Sequence, residues 1–276
     1  MKLFVTDIDD TLSVGETVSP EVRSACARLR DSGWDIMIAT GRTYGTARHH
    51  MDAIGVTQPA ILYDGSRIMT QDGKEIHSSL FDLELASELL DYLWPLPLEI
   101  QIAGDEDIHC REKDVETASF YKQAGVPVHY VSAPFAEGPI YRIGLWVRPD
   151  DLPEMEHRLQ TAFEGKIEVT AGGREFLDLL PFGVSKGSAL ERFLSTLPQR
   201  PEVVVAAGDH KNDFEMLRAS DIAAVPCNAA EPLFSVADIV IPKALDHGVR
   251  FLADHLLSPE FRALKRDVPM RLQNKP

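Results

Sequence analysis

The chain has 276 residues, of which 44% are hydrophobic and 26% are charged, and its formal net charge at pH 7 is −15. This length and hydrophobic fraction are enough for a sizeable core, in one large domain or in two smaller ones. The acidic balance argues against a general binder of nucleic acid or of anionic membranes, because such surfaces are basic, but it does not exclude a small anionic substrate.

The cysteines indicate a reducing compartment. Cys26, Cys110 and Cys227 are scattered, and none belongs to a CxxC pair or to a Cys/His metal pattern. An odd number of separate cysteines is typical of free thiols. No apolar run approaches the length of a membrane span, and acidic residues interrupt the first apolar run at once. We therefore expect a cytoplasmic protein that does not act on membranes.

Short apolar runs alternate with helical patterns in the first third of the chain. The predicted elements are, in chain order, strand 3–5, helix 19–33, strand 34–39, helix 43–54 and strand 59–63. The first helix has a strong start signal, because Ser19 is a good cap and Pro20 stands at the first helical position. This alternation is typical of a parallel sheet with covering helices.

The pattern changes between residues 83 and 181, which we interpret as an α+β module inserted into the first domain. The elements predicted there are helix 81–92, strands 98–103 and 140–147, helix 151–163 and a hairpin over residues 166–180. The first pattern then returns with helix 188–197, strand 203–206, helix 213–219 and short strands at 222–225 and 239–241.

The first predicted strand ends in a cluster of carboxylates. Because strand residues alternate in direction, Asp7 and Asp9 point the same way where the strand runs out. Together with the hydroxyl of Thr11, they can hold a hard cation and leave one oxygen free as a nucleophile. A calcium loop is a poorer interpretation, because the Gly and the distant Glu of such loops are absent. Taken alone, the segment also fits a helix-capping turn or a solvated acidic edge.

Polar residues follow two other predicted strands in the same way. Thr40 follows the second strand, and Asp209 and Asp213 follow the strand at residues 203–206. Ligand sites in open α/β sheets lie beyond the carboxyl ends of the strands. We therefore expect these residues to share one crevice with the two carboxylates of the first strand.

These residue types suit phosphoryl transfer. Clustered carboxylates repel one another and need a cation, and an all-oxygen ligand set favours Mg²⁺. The cation also neutralises a phosphate that the carboxylates would otherwise repel. A carboxylate nucleophile forms an aspartyl-phosphate and so splits one difficult displacement into two. Lys186, just before a predicted helix, offers a positive charge where backbone N–H groups also favour anions.

Four motifs occur in order along the chain. They are Asp7-Ile8-Asp9-Asp10-Thr11, Ala39-Thr40-Gly41-Arg42, Gly183-Val184-Ser185-Lys186-Gly187 and Gly208-Asp209-His210-Lys211-Asn212-Asp213. With these motifs the sequence resembles the haloacid-dehalogenase superfamily of phosphohydrolases, specifically its Cof-type, type IIB branch, over about residues 1–255. The resemblance implies an α/β fold with a doubly wound, Rossmann-like parallel-sheet core. It implies the following division of the chain: core, residues 1–82 and 182–258; inserted α+β cap that selects the substrate, residues 83–181; polar tail, residues 259–276.

The resemblance also implies a role for each matched residue. Asp7 would be the nucleophile, and Asp9 would protonate the leaving group and then activate water. Thr40 and Lys186 would hold the phosphoryl group. The implied substrate contacts are Gly41, Arg42, Asn212 and, through its backbone N–H, Asp10. The implied Mg²⁺ ligands are Asp7, the backbone carbonyl of Asp9, Asp209 and, directly or through water, Asp213.

Some residues depart from this pattern or stand outside it. Asp64 occupies a position where this branch commonly has Asn, and its extra carboxylate can alter contacts to the leaving group. The cationic cap residues are candidates for a second anionic group on the substrate, although we expect them at the solvated surface: His109, Arg111, Arg142 and Arg174. His49 and His50 are interpreted as part of a helix face and not as a metal pair, because adjacent helical residues do not face one site.

The expected function is Mg²⁺-dependent hydrolysis of a small phosphomonoester, such as a sugar phosphate, through an aspartyl-phosphate. The expected partner is therefore a small phosphorylated metabolite. A phosphomutase of the same branch, which would transfer the phosphate from Asp7 and not release it, is an alternative. A non-hydrolytic module that binds Mg²⁺ or a phosphoryl group is another.

Overall fold

The computed structural model describes residues 1–259 and 261 of the protein, so the predicted tail at 259–276 falls almost entirely outside the described residues. The strands there are, in chain order, β1 Lys2–Thr6, β2 Trp34–Ile38, β3 Ala60–Leu62, β4 Arg67–Met69, β5 Glu75–Ser78, β6 Glu99–Ala103, β7 Ile108–Cys110, β8 Val128–Tyr130, β9 Arg142–Trp146, β10 Ile167–Ala171, β11 Phe176–Pro181, β12 Val203–Ala207, β13 Ile222–Pro226 and β14 Ile239–Ile241. The α-helices there are α1 Pro20–Asp31, α2 Tyr44–Ile54, α3 Leu83–Leu93, α4 Val115–Gln123, α5 Leu152–Ala162, α6 Lys186–Thr196, α7 Phe214–Ala219 and α8 Gly248–Leu257. Within the described ranges, none of these helices combines the length and the apolar character needed to cross a membrane.

The core of the fold is a parallel five-stranded sheet in the order β14-β13-β12-β1-β2. Strand β1 lies between β2, its neighbour in the chain, and β12, which is far away in the sequence. Lys2 is opposite Val203, and Thr6 is opposite Ala207. The predicted α/β class with a parallel sheet is therefore confirmed.

Both faces of this sheet are covered, which explains why its strands are apolar at nearly every position. Phe4 and Val205 point to the face that α1, α2 and α8 cover. Leu3, Val5 and Val204 point to the opposite face, where α6 and α7 pack. Each of these five side chains is fully buried. The alternation of side chains along a strand thus serves two separate hydrophobic layers.

The predicted third strand of the parallel sheet differs from the structure. Strand β3 pairs antiparallel with β4 in a small sheet of order β3-β4-β5, and its pairing with the chain after β2 is limited to one parallel bridge between Ala39 and Ile61. The chain leaves β3 through Tyr63 and Asp64, with φ values of 49° and 52°. Extended pairing cannot continue through two such left-handed residues, and the turn carries Asp64 toward the crevice.

The segment between β5 and α6 forms a second, mostly antiparallel sheet in the order β10-β11-β9-β6-β7-β8. The predicted hairpin is present, since Ala171 lies opposite Leu177. Helices α3 and α5 pack on this sheet in a separate hydrophobic cluster that contains Leu89 and Leu159. Strands β7 and β8 were not predicted, because three-residue strands carry little periodic signal. Helix α4 was not predicted either, and the residues that it buries are Thr117, Ala118 and Tyr121, without a stripe of large aliphatic side chains.

Candidate active site

Three carboxylates meet at the carboxyl ends of β1 and β12. Asp7 directly follows β1, and its backbone N–H donates to Ala207 at the end of β12 over 2.9 Å. Carboxylate oxygens of Asp7, Asp209 and Asp213 lie within 4.8 Å of one another. Asp7 and Asp213 are buried and Asp209 is half-buried. This all-oxygen donor set, with one member open to solvent, fits a hard divalent cation.

Lys186 neutralises part of this negative charge from the opposite side. The sequence predicted that Lys186 would precede the helix, but it is the first residue of α6. Its Nζ lies 2.8 Å from Oδ1 of Asp7 and 2.7 Å from Oδ1 of Asp213. The side chain is 1% exposed, so these ion pairs are shielded from water and from salt.

Two glycines allow α6 to come close enough to bring Lys186 into the crevice. Gly65 has a φ of 113°, and a Cβ there would lie 2.2 Å from the carbonyl oxygen of Ser185. A Cβ on Gly187 would lie 2.4 Å from the backbone carbonyl carbon of Glu215, at the start of α7. Any larger side chain at either position would push the helix, and with it Lys186, away from Asp7.

The crevice holds more negative charge than its own cations neutralise. Burial, together with the carboxylates of Asp213 and Asp209, raises the pKa of Asp7 well above its ordinary value, although Lys186 opposes this. Burial and the carboxylate of Asp213 raise the pKa of Asp209 to about 7. Burial lowers the pKa of Lys186, but Asp213 and Asp7 outweigh it and raise that pKa. Strongly raised carboxylate pKa values in one crevice are characteristic of functional sites.

Asp213 also organises the loop that carries Asp209. Its Oδ2 accepts from the backbone N–H of Asp209 over 2.9 Å and of His210 over 3.1 Å. Oδ1 of Asp209 accepts from the hydroxyl of Thr11 over 2.9 Å. The hydroxyl of Thr11, which the sequence places beside Asp7 and Asp9, therefore contacts Asp209 of the fourth motif.

The carboxylate of Asp9 is bound by Arg42. Nη2 and Nε of Arg42 lie 2.7 Å and 2.9 Å from the two carboxylate oxygens of Asp9. The same guanidinium binds both carboxylate oxygens of Glu16. The Asp9 side chain is 54% exposed. Both residues thus form the rim of the crevice, and Arg42 already has two carboxylate partners.

The other predicted contacts already have protein partners. Thr40 is buried, and its hydroxyl accepts from the backbone N–H of Arg42 over 3.2 Å. The N–H of Asp10 donates to Ser13 over 2.9 Å, so a phosphate would have to replace that acceptor. The carbonyl of Gly41 accepts from Arg142 over 2.8 Å.

A buried polar cluster connects the crevice with the second sheet. Nη1 of Arg142, on β9, lies 3.6 Å from Oδ2 of Asp64, and its Nε lies 3.3 Å from Oδ1 of Asp178 on β11. Nδ2 of Asn212 donates to Oδ1 of Asp64 over 2.9 Å. The expectation that the cationic residues of segment 83–181 lie at the surface is wrong for Arg142 and for Arg111, which are 6% and 4% exposed.

Asp178 was missed by sequence reasoning. It stands between Leu177 and Leu179 in an apolar strand, and it is 5% exposed. A carboxylate is rarely buried without a partner, so its position inside this run was the available signal. A cavity of about 350 Å³ lies beside the cluster and is lined by both parts of the chain, including Asn212 and Glu168.

Comparison with known proteins agrees with this geometry. A sequence model of the haloacid dehalogenase-like hydrolase family matches residues 4–252. The chain is 24% identical to the 5-amino-6-(5-phospho-D-ribitylamino)uracil phosphatase YwtE of Bacillus subtilis strain 168, over 95% of this chain and 100% of that protein. It shares the fold of a haloacid dehalogenase-like hydrolase from B. subtilis, with a TM-score of 0.82, 23% identity, and 93% and 100% of the two chains covered. It also shares the fold of the subclass IIB sugar phosphatase BT4131, with a TM-score of 0.79, 18% identity, and 93% and 99% covered.

The fold and the site define the class of this protein. It is a hydrolase with a parallel α/β core and an additional antiparallel sheet. It belongs to the haloacid dehalogenase-like hydrolase family, which confirms the resemblance drawn from the four motifs.

Proposed function

We propose that the protein is a Mg²⁺-dependent phosphatase that hydrolyses a small phosphomonoester through an aspartyl-phosphate on Asp7. One observation carries this proposal: the buried carboxylate of Asp7 lies at a strand end, in contact with Lys186 and beside Asp209 and Asp213. A nucleophile, a cation for the phosphoryl group and an oxygen site for a metal are thus within reach of one phosphorus atom.

The chain's own residues account for both half-reactions. A carboxylate oxygen of Asp7 attacks phosphorus, and the bond to the leaving oxygen breaks as Asp9 gives that oxygen its proton. Asp9 then takes a proton from water, whose oxygen attacks phosphorus, and free phosphate leaves as the Asp7 carboxylate is restored. Lys186 and Thr40 hold the phosphoryl oxygens. Asp9 has to exchange Arg42 for the substrate before it can act.

The donor set fits Mg²⁺. Asp7, Asp209 and Asp213 would hold the ion with carboxylate oxygens, and the backbone carbonyl of Asp9 would add a fourth ligand. When bound, Mg²⁺ supplies positive charge that lets a phosphate approach the carboxylates.

We expect Mg²⁺ affinity to fall as the pH is lowered from 8 to 6. The pKa of Asp209 is about 7, so below that pH a proton occupies an oxygen that the metal needs, and the loss approaches about tenfold per pH unit. Isothermal titration calorimetry in two buffers of different ionisation enthalpy measures both the affinity and the protons released. An affinity that stays constant from pH 6 to pH 8 would contradict this assignment.

We further propose that residues 83–181 act as the cap and that the substrate is a polyhydroxylated phosphate ester. The cavity of about 350 Å³ suits a small metabolite. Asp64 and Asn212 line this cavity and offer an acceptor and a donor for hydroxyl groups, and Arg142 lies 3.6 Å from Asp64. The names of two similar proteins agree in chemistry, since one acts on a phosphorylated ribityl compound and the other on sugar phosphates.

Phosphate release from a substrate panel tests the function. Wild-type protein would be given sugar and polyol phosphates, nucleotides, pyridoxal phosphate and an aryl phosphate, with Mg²⁺ or with a chelator. We expect Mg²⁺-dependent release that is fastest with a sugar or polyol phosphate. Phosphate transferred to a second sugar hydroxyl and not released would indicate a phosphomutase. Neither release nor transfer by folded protein would contradict the proposal.

Replacing Asp64 with Asn is expected to change substrate preference. The substitution keeps an acceptor for Asn212 but removes the negative charge 3.6 Å from Arg142. Arg142 then keeps Asp178 as its carboxylate partner, and one negative charge fewer repels a second anionic group on the leaving group. We expect kcat/KM for a sugar bisphosphate to rise at least about tenfold relative to the neutral sugar phosphate, a modest effect for charges at this separation. An unchanged ratio would show that Asp64 does not face the leaving group.

A further inference from the structure

A group of metal-binding side chains lies on the rim beside Arg42, outside the carboxylate cluster. Glu16, His49 and His50 each place one ligand atom within 4.8 Å of the other two. Nε2 of His49 lies 3.1 Å from Oε2 of Glu16, and the two imidazole centroids are 3.9 Å apart. The expectation that these adjacent histidines cannot face one site is therefore wrong.

His50 is the residue that points to a ligand. Its side chain is 0% exposed, and neither ring nitrogen has a hydrogen-bond partner within residues 1–259 and 261. Buried polar groups in folded proteins are nearly always paired, and an exception of this kind indicates an ion or a water molecule that completes the site. Burial and the charge of Arg42 lower the pKa of His50 to about 4, which leaves the ring neutral with a free lone pair.

We propose that Glu16, His49 and His50 form a binding site for a divalent transition-metal ion of the Zn²⁺ type. Two imidazoles and one carboxylate are a common Zn²⁺ ligand set, whereas Mg²⁺ takes oxygen ligands. The local charge also favours a cation, because the single positive charge of Arg42 faces two negative charges, those of Asp9 and Glu16.

The site is independent of the proposed phosphatase activity. It uses none of the carboxylates of the crevice, and its occupancy is measured without substrate. Arg42 nevertheless connects the two, since its guanidinium binds Glu16 on one side and Asp9 on the other.

Metal titration of the full chain tests the proposal. Co²⁺ would be added in a large excess of Mg²⁺, followed by displacement with Zn²⁺. We expect one Co²⁺ per chain with the visible absorption of nitrogen ligation, and stoichiometric displacement. His49→Ala should weaken binding at least about tenfold, because even residues that only orient metal ligands contribute about 10- to 100-fold. The His49 side chain is 48% exposed, so this variant should fold. His50→Gln should weaken binding equally, with thermal unfolding as the check on its fold.

Two further variants separate this site from others. His129 is also exposed and lies 3.4 Å from a carboxylate oxygen of Asp107, so His129→Ala is the matched control and should bind Co²⁺ like wild type. Asp209→Asn removes a crevice carboxylate and should also retain the ion. Absence of Co²⁺ and Zn²⁺ binding would overturn the proposal. It would mean that a water molecule is the hydrogen-bond partner of His50. Undiminished binding in His49→Ala, or loss in His129→Ala or Asp209→Asn, would overturn it as well.

Discussion

Replacing Asp7 with Asn is expected to lower Mg²⁺-dependent phosphate release by at least about 1,000-fold, the scale of losing a catalytic nucleophile. The amide has nearly the same shape, but it cannot attack phosphorus or carry the phosphoryl group. Burial raises the pKa of Asp7 well above its ordinary value, which means that its charged form is costly at neutral pH. The Asn variant should therefore unfold at the same temperature as wild type or at a higher one.

Asp52→Asn is the matched control for this prediction. Asp52 is an exposed acid on α2 and lies outside the crevice, so its variant should keep wild-type release. Phosphate release and thermal unfolding of the three proteins, measured in one buffer, give the comparison. Release by Asp7→Asn within tenfold of wild type would exclude Asp7 as the nucleophile.

Replacing Lys186 with Met is expected to cost both activity and stability. The substitution leaves the buried carboxylates of Asp7 and Asp213 without their cation, and breaking a buried pair in this way costs about 3–5 kcal/mol. Because burial raises the pKa of Asp7 well above its ordinary value, protonation removes that charge at lower pH, and the loss should be largest at pH 8 and smaller at pH 5. Adding Mg²⁺ at pH 8 should restore part of the stability.

Denaturant unfolding at the two pH values measures the effect of Lys186→Met. The control is Lys166→Met, which removes an exposed pair with Glu88 and should cost less than about 1 kcal/mol. A double variant that also carries Asp213→Asn should be more stable than Lys186→Met alone, because one unpaired charge is gone. A loss that is independent of pH would mean that the Lys186 chain acts through packing and not through its charge.

The sequence was sufficient for the strand ends but not for side-chain pairing. Asp7 and Asp209 could be placed together, because parallel strands share one edge and each residue follows an apolar run. The orientation of the Asp9 side chain could not be predicted, since it depends on Arg42, which follows a different strand, β2. Arg142 was assigned to the surface because a single cation in an apolar run gives no sign of its partner. That partner, Asp178, is on a different strand of the second sheet.

Backbone conformation explains the remaining differences. The turn after β3 has left-handed residues at Tyr63 and Asp64, neither of which is Gly. Such residues are uncommon there, so the sequence predicted a third parallel strand where the chain turns aside. Helical geometry alone predicted that His49 and His50 would not face one site. In the structure their rings lie close to each other and to Glu16.

The pairing of β1 with β12 has a consequence for how the chain is made. Lys2 finds its partner only when Val203 has been synthesised, which at about 5–20 residues per second takes roughly 10–40 s. During that time one edge of β1 has unpaired backbone groups and apolar side chains on both faces, the features of an aggregation-prone strand. The antiparallel sheet of the middle segment, whose strands lie close together in sequence, can form first. A ribosome-bound chain should therefore hold a folded middle segment and an open core, and its yield should depend on chaperones that shield residues 2–38.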